Sequence, residues 1–350
     1  MRPGGLDRRA FVAASLALAG CGPVARGQSP QALPPLKSVA PFPVGTAVQA
    51  AQLDDPAFAA LVVRQVSQLT PEWELKMEYV AQPDGGYRFD APDKIAAFAS
   101  AHGQRLFGHT LVWYAQKPDV FVALEGPAFR QAFAAYIAAV VGRYRGRAVG
   151  WDVVNEAVAE DGAGWRTSLW SERLGDFEHM RLAFELAHQA DPDATLFLND
   201  YNLETNPLKR ATFMALAERL LKSGAPLGGL GTQTHVAADI KPGAIKAALE
   251  DLASLGLKVR VSEMDVSLAR APELPSPSVD LLGQQGRAYA EAAYVFAKLP
   301  AARRADFTFW GLKDSQSWLR RENGADAPLL FDDDGAPKPA ASAWEDAVRA

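Results

Sequence analysis

Apolar and polar positions alternate along the chain in two rhythms. From Val44 onward, short apolar runs rich in β-branched and aromatic residues recur, and each reads as a buried strand. They are "VGTAVQA" (44–50), "VSQLTPEW" (66–73), "RLFGHTLVW" (105–113), "VGWDVVNEA" (149–157), "TLFLNDYN" (195–202), "GLGTQTHV" (229–236), "LKVRVSEMDV" (257–266) and "ADFTFWGL" (305–312). Between them the period lengthens to that of a helix, in Ala- and Leu-rich stretches such as "APDKIAAFASAHG" (91–103) and "FRQAFAAYIAAVVGRYRG" (129–146). Asp90 reads as the cap that starts the first of these helices and Gly103 as its stop. Eight strand–helix repeats predict a single α/β domain, a (β/α)8 TIM barrel, over residues 44–350. A doubly wound sheet is the competing architecture, but no GxGxxG follows the first strand.

Polar residues interrupt these runs in one place, the C-terminal ends of the strands. There stand Glu72, Glu74 and Lys76; His109, Trp113 and Gln116; Asn155 and Glu156; Asn199, Asp200 and Asn202; Gln233 and His235; Glu263 and Asp265; and Trp310 and Asp314. In a barrel those ends form one mouth, where enzymes of this architecture carry their sites. One polar strand end has a dull explanation as a satisfied or solvated residue. Seven that agree predict a site.

Charge and composition narrow the chemistry. The chain of 350 residues has a net charge of −5, from 36 basic and 41 acidic residues, with no basic run longer than a pair, which argues against a nucleic-acid partner. Its five histidines fall in no Cys/His cluster and no HExxH spacing, so a transition-metal site is not expected; no cofactor is implied.

The N-terminus is a different kind of segment. "LDRRAFVAASLALAGCG" pairs Arg8-Arg9 with a nine-residue apolar stretch, Phe11 to Ala19, too short to span a bilayer and suited to an export signal over residues 1–20. It resembles a twin-arginine signal ending in a lipobox, with Cys21, the chain's one cysteine, as the lipidation site. An ordinary signal with an incidental cysteine is the alternative. Residues 21–43 carry six prolines from Gly22 to Pro43 and read as a tether. The expected location is the cell envelope, as a lipoprotein facing the periplasm or the outer membrane. Gly22 after the cysteine favours the outer membrane. The membrane is met only through the lipid, and the chain is expected to be a monomer.

Glu156 and Glu263 lie 107 positions apart yet face one mouth. Two carboxylates without a metal cluster suggest glycoside hydrolysis, in which one carboxyl gives a proton to the leaving oxygen and the other stays ionised. Glu263, within reach of His235 on the preceding strand end, suits the ionised role. Glu156, beside Trp151 and two valines, suits the acid. Trp113, Trp310 and Trp318 offer flat faces on which sugar rings stack, although about half of the chain's eight tryptophans should simply fill the core.

From Val44 onward the chain resembles glycoside hydrolase family 10, the retaining endo-β-1,4-xylanases. The likeness is carried by "TPEWELK", "GHTLVWYAQKPD", "WDVVNEAV", "NDYN", "GTQTH", "SEMD", "FWGLKDSQSWL" and "PLLFDDDGAPKPA", in the family's order. The resemblance implies a (β/α)8 barrel and double displacement on xylan or xylo-oligosaccharides. It places Glu156 as acid/base, Glu263 as nucleophile, Asn155 on the 2-hydroxyl of the cleaved sugar and His235 beside the nucleophile. Glu72, Lys76, His109, Trp113, Gln116, Gln233, Trp310 and Trp318 fall on sugar-binding positions. The chain departs from the family pattern at Trp73, Leu75, Met77, Phe107 and Tyr114, which bears on recognition around the cleaved sugar and its neighbour. Two other readings stay open: a retaining glycosidase acting on a decorated or non-xylan β-glycoside, and a non-catalytic sugar-binding lipoprotein.

Overall fold

A computed structural model describes residues 33–269 and 279–350. Among these residues run β1 (Val44–Val48), β2 (Gln68–Pro71), β3 (Arg105–Trp113), β4 (Ala148–Asn155), β5 (Thr195–Asp200), β6 (Gly229–Thr232), β7 (His235–Ala237), β8 (Lys258–Ser267) and β9 (Arg304–Phe309). All pairings are parallel. β1 to β6 are neighbours in sequence order, β6 then pairs with β8, β8 with β9, and β9 returns to β1, which closes a barrel of eight staves. β7 pairs with the far end of β8, His235 opposite Asp265. The eight predicted runs are thus the eight staves.

The sixth differs in one respect. "GLGTQTHV" is predicted as one strand and is two, because Thr234 takes φ 60°. The Thr232 and Thr234 hydroxyls both donate to Glu204 Oε1, at 2.5 and 2.8 Å, and hold the kink. The break turns Gln233 and His235 toward the mouth.

The helices fill the outside. Asp90 is the first residue of the helix Asp90–Ala101 and makes no side-chain cap bond; Phe89 stands at the cap position. Asp90 and Asp93 instead put negative charge in the first turn, where the exposed N–H groups favour it. Gly103, at φ 63°, follows the helix as expected.

The tether expected over 21–43 is too long at its C-terminal end. Residues 34–43 belong to the folded unit. Leu36 is fully buried and its N–H donates to Gln65 Oε1 at 3.0 Å, and Phe42 meets Phe296 and Trp344 edge-on. Proline spacing suggested a tether, but two apolar anchors outweigh it. The export signal, Cys21 and the tether up to Ala32 lie outside the described residues.

The barrel interior is not wholly apolar. The buried Arg260 guanidinium crosses from β8 to Asp152 on β4 (Nη1 to both carboxylate oxygens, 3.0 and 2.9 Å) and to Asp306 on β9 (Nη2, 3.1 Å). The Phe107 ring lies under it, 3.5 Å from ring centroid to guanidinium carbon. Phe107 therefore packs in the barrel and bears on its interior rather than on sugar recognition. On the same strand, Gly108 has no room for a Cβ, which would sit 2.0 Å from the Trp151 ring. Trp151, Trp170 and Trp344 are core tryptophans.

Candidate active site

β4 ends at Asn155, and Glu156 follows it at φ 58°. A non-glycine residue there costs about 1–3 kcal/mol and needs surroundings that hold it. The Asn199 carbonyl accepts the Glu156 N–H at 2.8 Å, and Arg166 Nε donates to the Glu156 carbonyl at 3.1 Å. The turn brings the Glu156 carboxylate back over Asn155, whose Nδ2 donates to Glu156 Oε1 at 3.0 Å; Gln233 Nε2 donates to the same oxygen at 2.9 Å.

Glu263 sits on β8, buried. Asn199 Nδ2 donates to its Oε1 at 2.8 Å, and also to Asn155 Oδ1 at 2.8 Å. Asn199 is fixed in turn by Ser262 Oγ, which donates to its Oδ1 at 2.7 Å. Glu263, Asn199, Asn155 and Glu156 thus form one chain of contacts, with an amide at each step between the two carboxylates.

The other Glu263 oxygen lies 3.4 Å from His235 Nε2. His235 Nδ1 lies 2.8 Å from Asp265 Oδ2, which also accepts from Trp318 Nε1 at 2.8 Å. Burial by itself would raise the Glu263 carboxyl, but the charges of His109, His235 and Lys76 and the His235 hydrogen bond outweigh it and hold it at about 2. Burial opposes charge on His235 too, yet Asp265 and Glu263 prevail and push it up to about 10. At neutral pH Glu263 is ionised and His235 is a cation whose two N–H groups face two carboxylates. Lys76 is pulled below its ordinary value by burial, against Glu263 and Glu72.

All twelve site residues expected from the sequence line one cavity of about 760 Å³ at the mouth. Trp310 presents its edge to His109, ring centroids 5.1 Å apart, and Lys76 Nζ lies 4.7 Å from the Trp113 ring centroid. Glu72 accepts from Gln49 Nε2 at 3.0 Å and pairs with Arg321. Gln116 lines the cavity while its Oε1 accepts the Glu78 N–H at 2.9 Å. Tyr114 also lines the cavity, with the Arg166 guanidinium 4.3 Å over its ring.

His109, Asp152 and Glu263 bring three possible ligand atoms within 4.8 Å of one another. The donor set does not suit a metal ion, because Arg260 already occupies both Asp152 oxygens and is itself a fixed cation. Sequence reasoning placed Asn199 at a strand end without giving it a role, and it passed over Asp152, Arg260, Ser262 and Asp306. The signal was present: a charged residue inside an apolar strand, as in "VRVSE" and "GWDVV", must find a partner across the barrel.

Residues 36–347 match the family described as glycosyl hydrolase family 10. The chain is 36% identical over 316 residues to an endo-1,4-beta-xylanase of Geobacillus stearothermophilus, covering 85% of this chain and 93% of the relative. It is 35% identical over 324 residues to exoglucanase XynX of Acetivibrio thermocellus, covering 88% of this chain but only 29% of that longer relative. A xylanase of Thermoanaerobacterium saccharolyticum, solved as a mutant with xylotetraose, superposes with a TM-score of 0.80 at 33% identity, covering 89% of this chain and 98% of the other.

Proposed function

The chain belongs to glycosyl hydrolase family 10, and from that premise we propose that it is an endo-β-1,4-xylanase cleaving internal xylosidic bonds by a retaining double displacement. The observation that carries the reading is the pair of carboxylates at the mouth, joined through Asn155 and Asn199, with Glu263 held ionised by the charges of His109, His235 and Lys76.

Glu263, ionised, attacks the anomeric carbon while Glu156 protonates the glycosidic oxygen, and the leaving chain departs. A glycosyl ester on Glu263 remains. Glu156, having given up its proton, then takes one from water, whose oxygen attacks the same carbon as the bond to Glu263 breaks and frees its carboxylate. Two inversions give net retention. Asn155 holds the sugar's 2-hydroxyl, a contact that strengthens at the oxocarbenium-like transition state. Asn199 acts through others, fixing the Asn155 amide and a Glu263 oxygen. Glu72, Lys76, His109, Trp113, Gln116, Gln233, Trp310 and Trp318 bind sugars. Only carboxylates and water take part, so the scheme requires no cofactor.

The test is the anomer of the first-formed product on xylo-oligosaccharides, followed by proton NMR. Retention is expected, and inversion would overturn the mechanism. A panel of xylan, mixed-linkage glucan and aryl β-xylosides and β-cellobiosides separates the readings. A retaining enzyme for a decorated or non-xylan glycoside is the second reading, favoured by Trp73, which is 45% exposed at the cavity rim. Inactivity on the whole panel would leave a sugar-binding protein, although such a protein has no use for an acid and a nucleophile.

We also propose that the protein is exported and anchored at the cell envelope through lipid on Cys21, on the strength of the N-terminal sequence. Cys21→Ser should release it from the membrane fraction, and wild-type protein found wholly in soluble periplasm would refute this.

A further inference from the structure

A second cavity, of about 620 Å³, opens beside the first at the end of the groove where Glu72 and Lys76 stand. Trp73, Lys76 and Gln116 line both cavities, so they form the shared wall. Trp73 is the exposed part of that wall, and it stands where the family pattern has a small amide. The far side is built from Ala51, Tyr79, Ala91 and the charged residues around them. There the Arg88 guanidinium stacks over the Tyr79 ring, 3.7 Å from its centroid.

The charges of this side cavity are already answered. Lys94 pairs with Asp54 at 2.7 Å, and Arg88 lies 3.9 Å from Asp90. Glu74 accepts the Ala50 and Trp73 N–H groups, and Glu78 accepts that of Lys117. Lys76 lies among the carboxylates of the main groove. The four acids Asp54, Glu74, Glu78 and Asp90 outnumber the three cations Lys76, Arg88 and Lys94. What remains is the exposed Trp73 face, the Tyr79–Arg88 stack and a rim of carboxylate acceptors, which suits C–H faces and hydroxyl donors and disfavours an anion.

We propose that this side cavity receives a neutral glycosyl branch on the polysaccharide backbone, with Trp73 as the wall between main chain and branch. The inference rests on the xylanase reading and names the form of xylan that the enzyme meets. A linear chain fills the main groove and leaves the side cavity to water, whereas a chain with a neutral pentosyl branch fills both. An acidic branch meets the excess of carboxylates.

The experiment compares kcat/KM of the full chain on three oligosaccharides of equal backbone length: linear, bearing one neutral pentosyl branch, and bearing one uronosyl branch. The expected order is neutral-branched at least equal to linear, with uronosyl-branched about tenfold lower. Ala51→Trp, on an exposed turn, narrows the cavity from its far side. It should lower kcat/KM on the neutral-branched substrate about tenfold and on the linear one less than twofold, the linear rate showing that the variant is folded. A wild type that rejects the neutral branch or prefers the uronosyl one overturns the proposal. So does an Ala51→Trp loss that is equal on both substrates. Cleavage of none of the three oligosaccharides would instead sink the xylanase reading and this inference with it.

Discussion

The centre of the cleft and its rim are built by opposite means. At the centre, Asn155, Asn199, Ser262 and Glu263 stand on β4, β5 and β8, each side chain hydrogen-bonded to another. At the rim, Trp73 and Tyr114 stand on loops beyond β2 and β3 and are the chain's exposed aromatic departures from the family pattern. Strand ends are tied to both neighbouring staves, so a displacement at one is resisted by all. A loop residue is held from one side and can change without disturbing the rest. The contrast teaches that reaction type is set by the sheet and substrate choice by what surrounds it.

The hardest way to break the centre is to remove the nucleophile. Glu263→Ala should lower kcat/KM on xylan by at least about 10⁴-fold, measured by reducing-sugar release. Added azide should yield a glycosyl azide of inverted configuration, visible by NMR. Glu156→Ala should cost about 10²–10⁴-fold on xylan and far less on aryl glycosides with good leaving groups, which need little protonation. Comparable losses on both substrate types would strip Glu156 of its role as acid.

The centre can also be broken from beneath. Arg260→Met leaves Asp152 and Asp306 buried without their cation, and should destabilise the fold by about 3–5 kcal/mol in urea unfolding. A loss below about 1 kcal/mol would mean that the pair is not what holds β4, β8 and β9 together.

His235 sharpens the comparison through pH. Glu263 is held at about 2, below its ordinary 4.5, so its favourable contacts add stability above about pH 4.5 that fades as pH falls toward 2. His235 is raised from 6.5 to about 10, so its contribution is complete below pH 6.5 and fades as pH rises toward 10. The melting temperature should therefore drop at both extremes, and less so in His235→Asn. In that variant the acid limb of kcat/KM should move up by about one pH unit, about 1.4 kcal/mol, because Glu263 loses a cation. An unmoved limb would separate Glu263 from His235.

The rim should give the smallest effect and the only gain. Trp73→Asn restores a hydrogen-bonding amide, worth about 1 kcal/mol, and should raise kcat/KM on linear xylo-oligosaccharides about fivefold while lowering it on branched ones. A fall on both, or a change in melting temperature alone, would make Trp73 a packing residue.

The same division governs what could be read from the sequence. The staves were legible because apolar runs of four to ten residues bounded by polar ends leave few other readings. Glu156 and Glu263 were legible as two carboxylates at the ends of such runs, with the family motifs around them. The break at Thr234 was not, because it depends on Glu204, 30 residues away, accepting its hydroxyl. Asn199 as a bridge was hidden for the same reason: its partners come from two distant places in the chain, Asn155 on β4 and Ser262 and Glu263 on β8. Phe107 looked like a change in recognition and proved to be a change under Arg260, because its burial follows from a cross-barrel partner. Local pattern shows in one dimension, and partnership across the barrel does not.

The folded unit begins with the helix Leu36–Val39 and ends with the helix Pro339–Arg349, and the two touch, with Phe42 set edge-on against Trp344 below the start of β1. Entrance and exit therefore share one doorway, on the floor of the barrel and away from the opening. A unit with its two leads side by side behaves like a plug-in cartridge. Sequence can be lengthened, exchanged or removed at that doorway while the opposite face keeps its register, so such a unit can be moved between longer proteins as one piece.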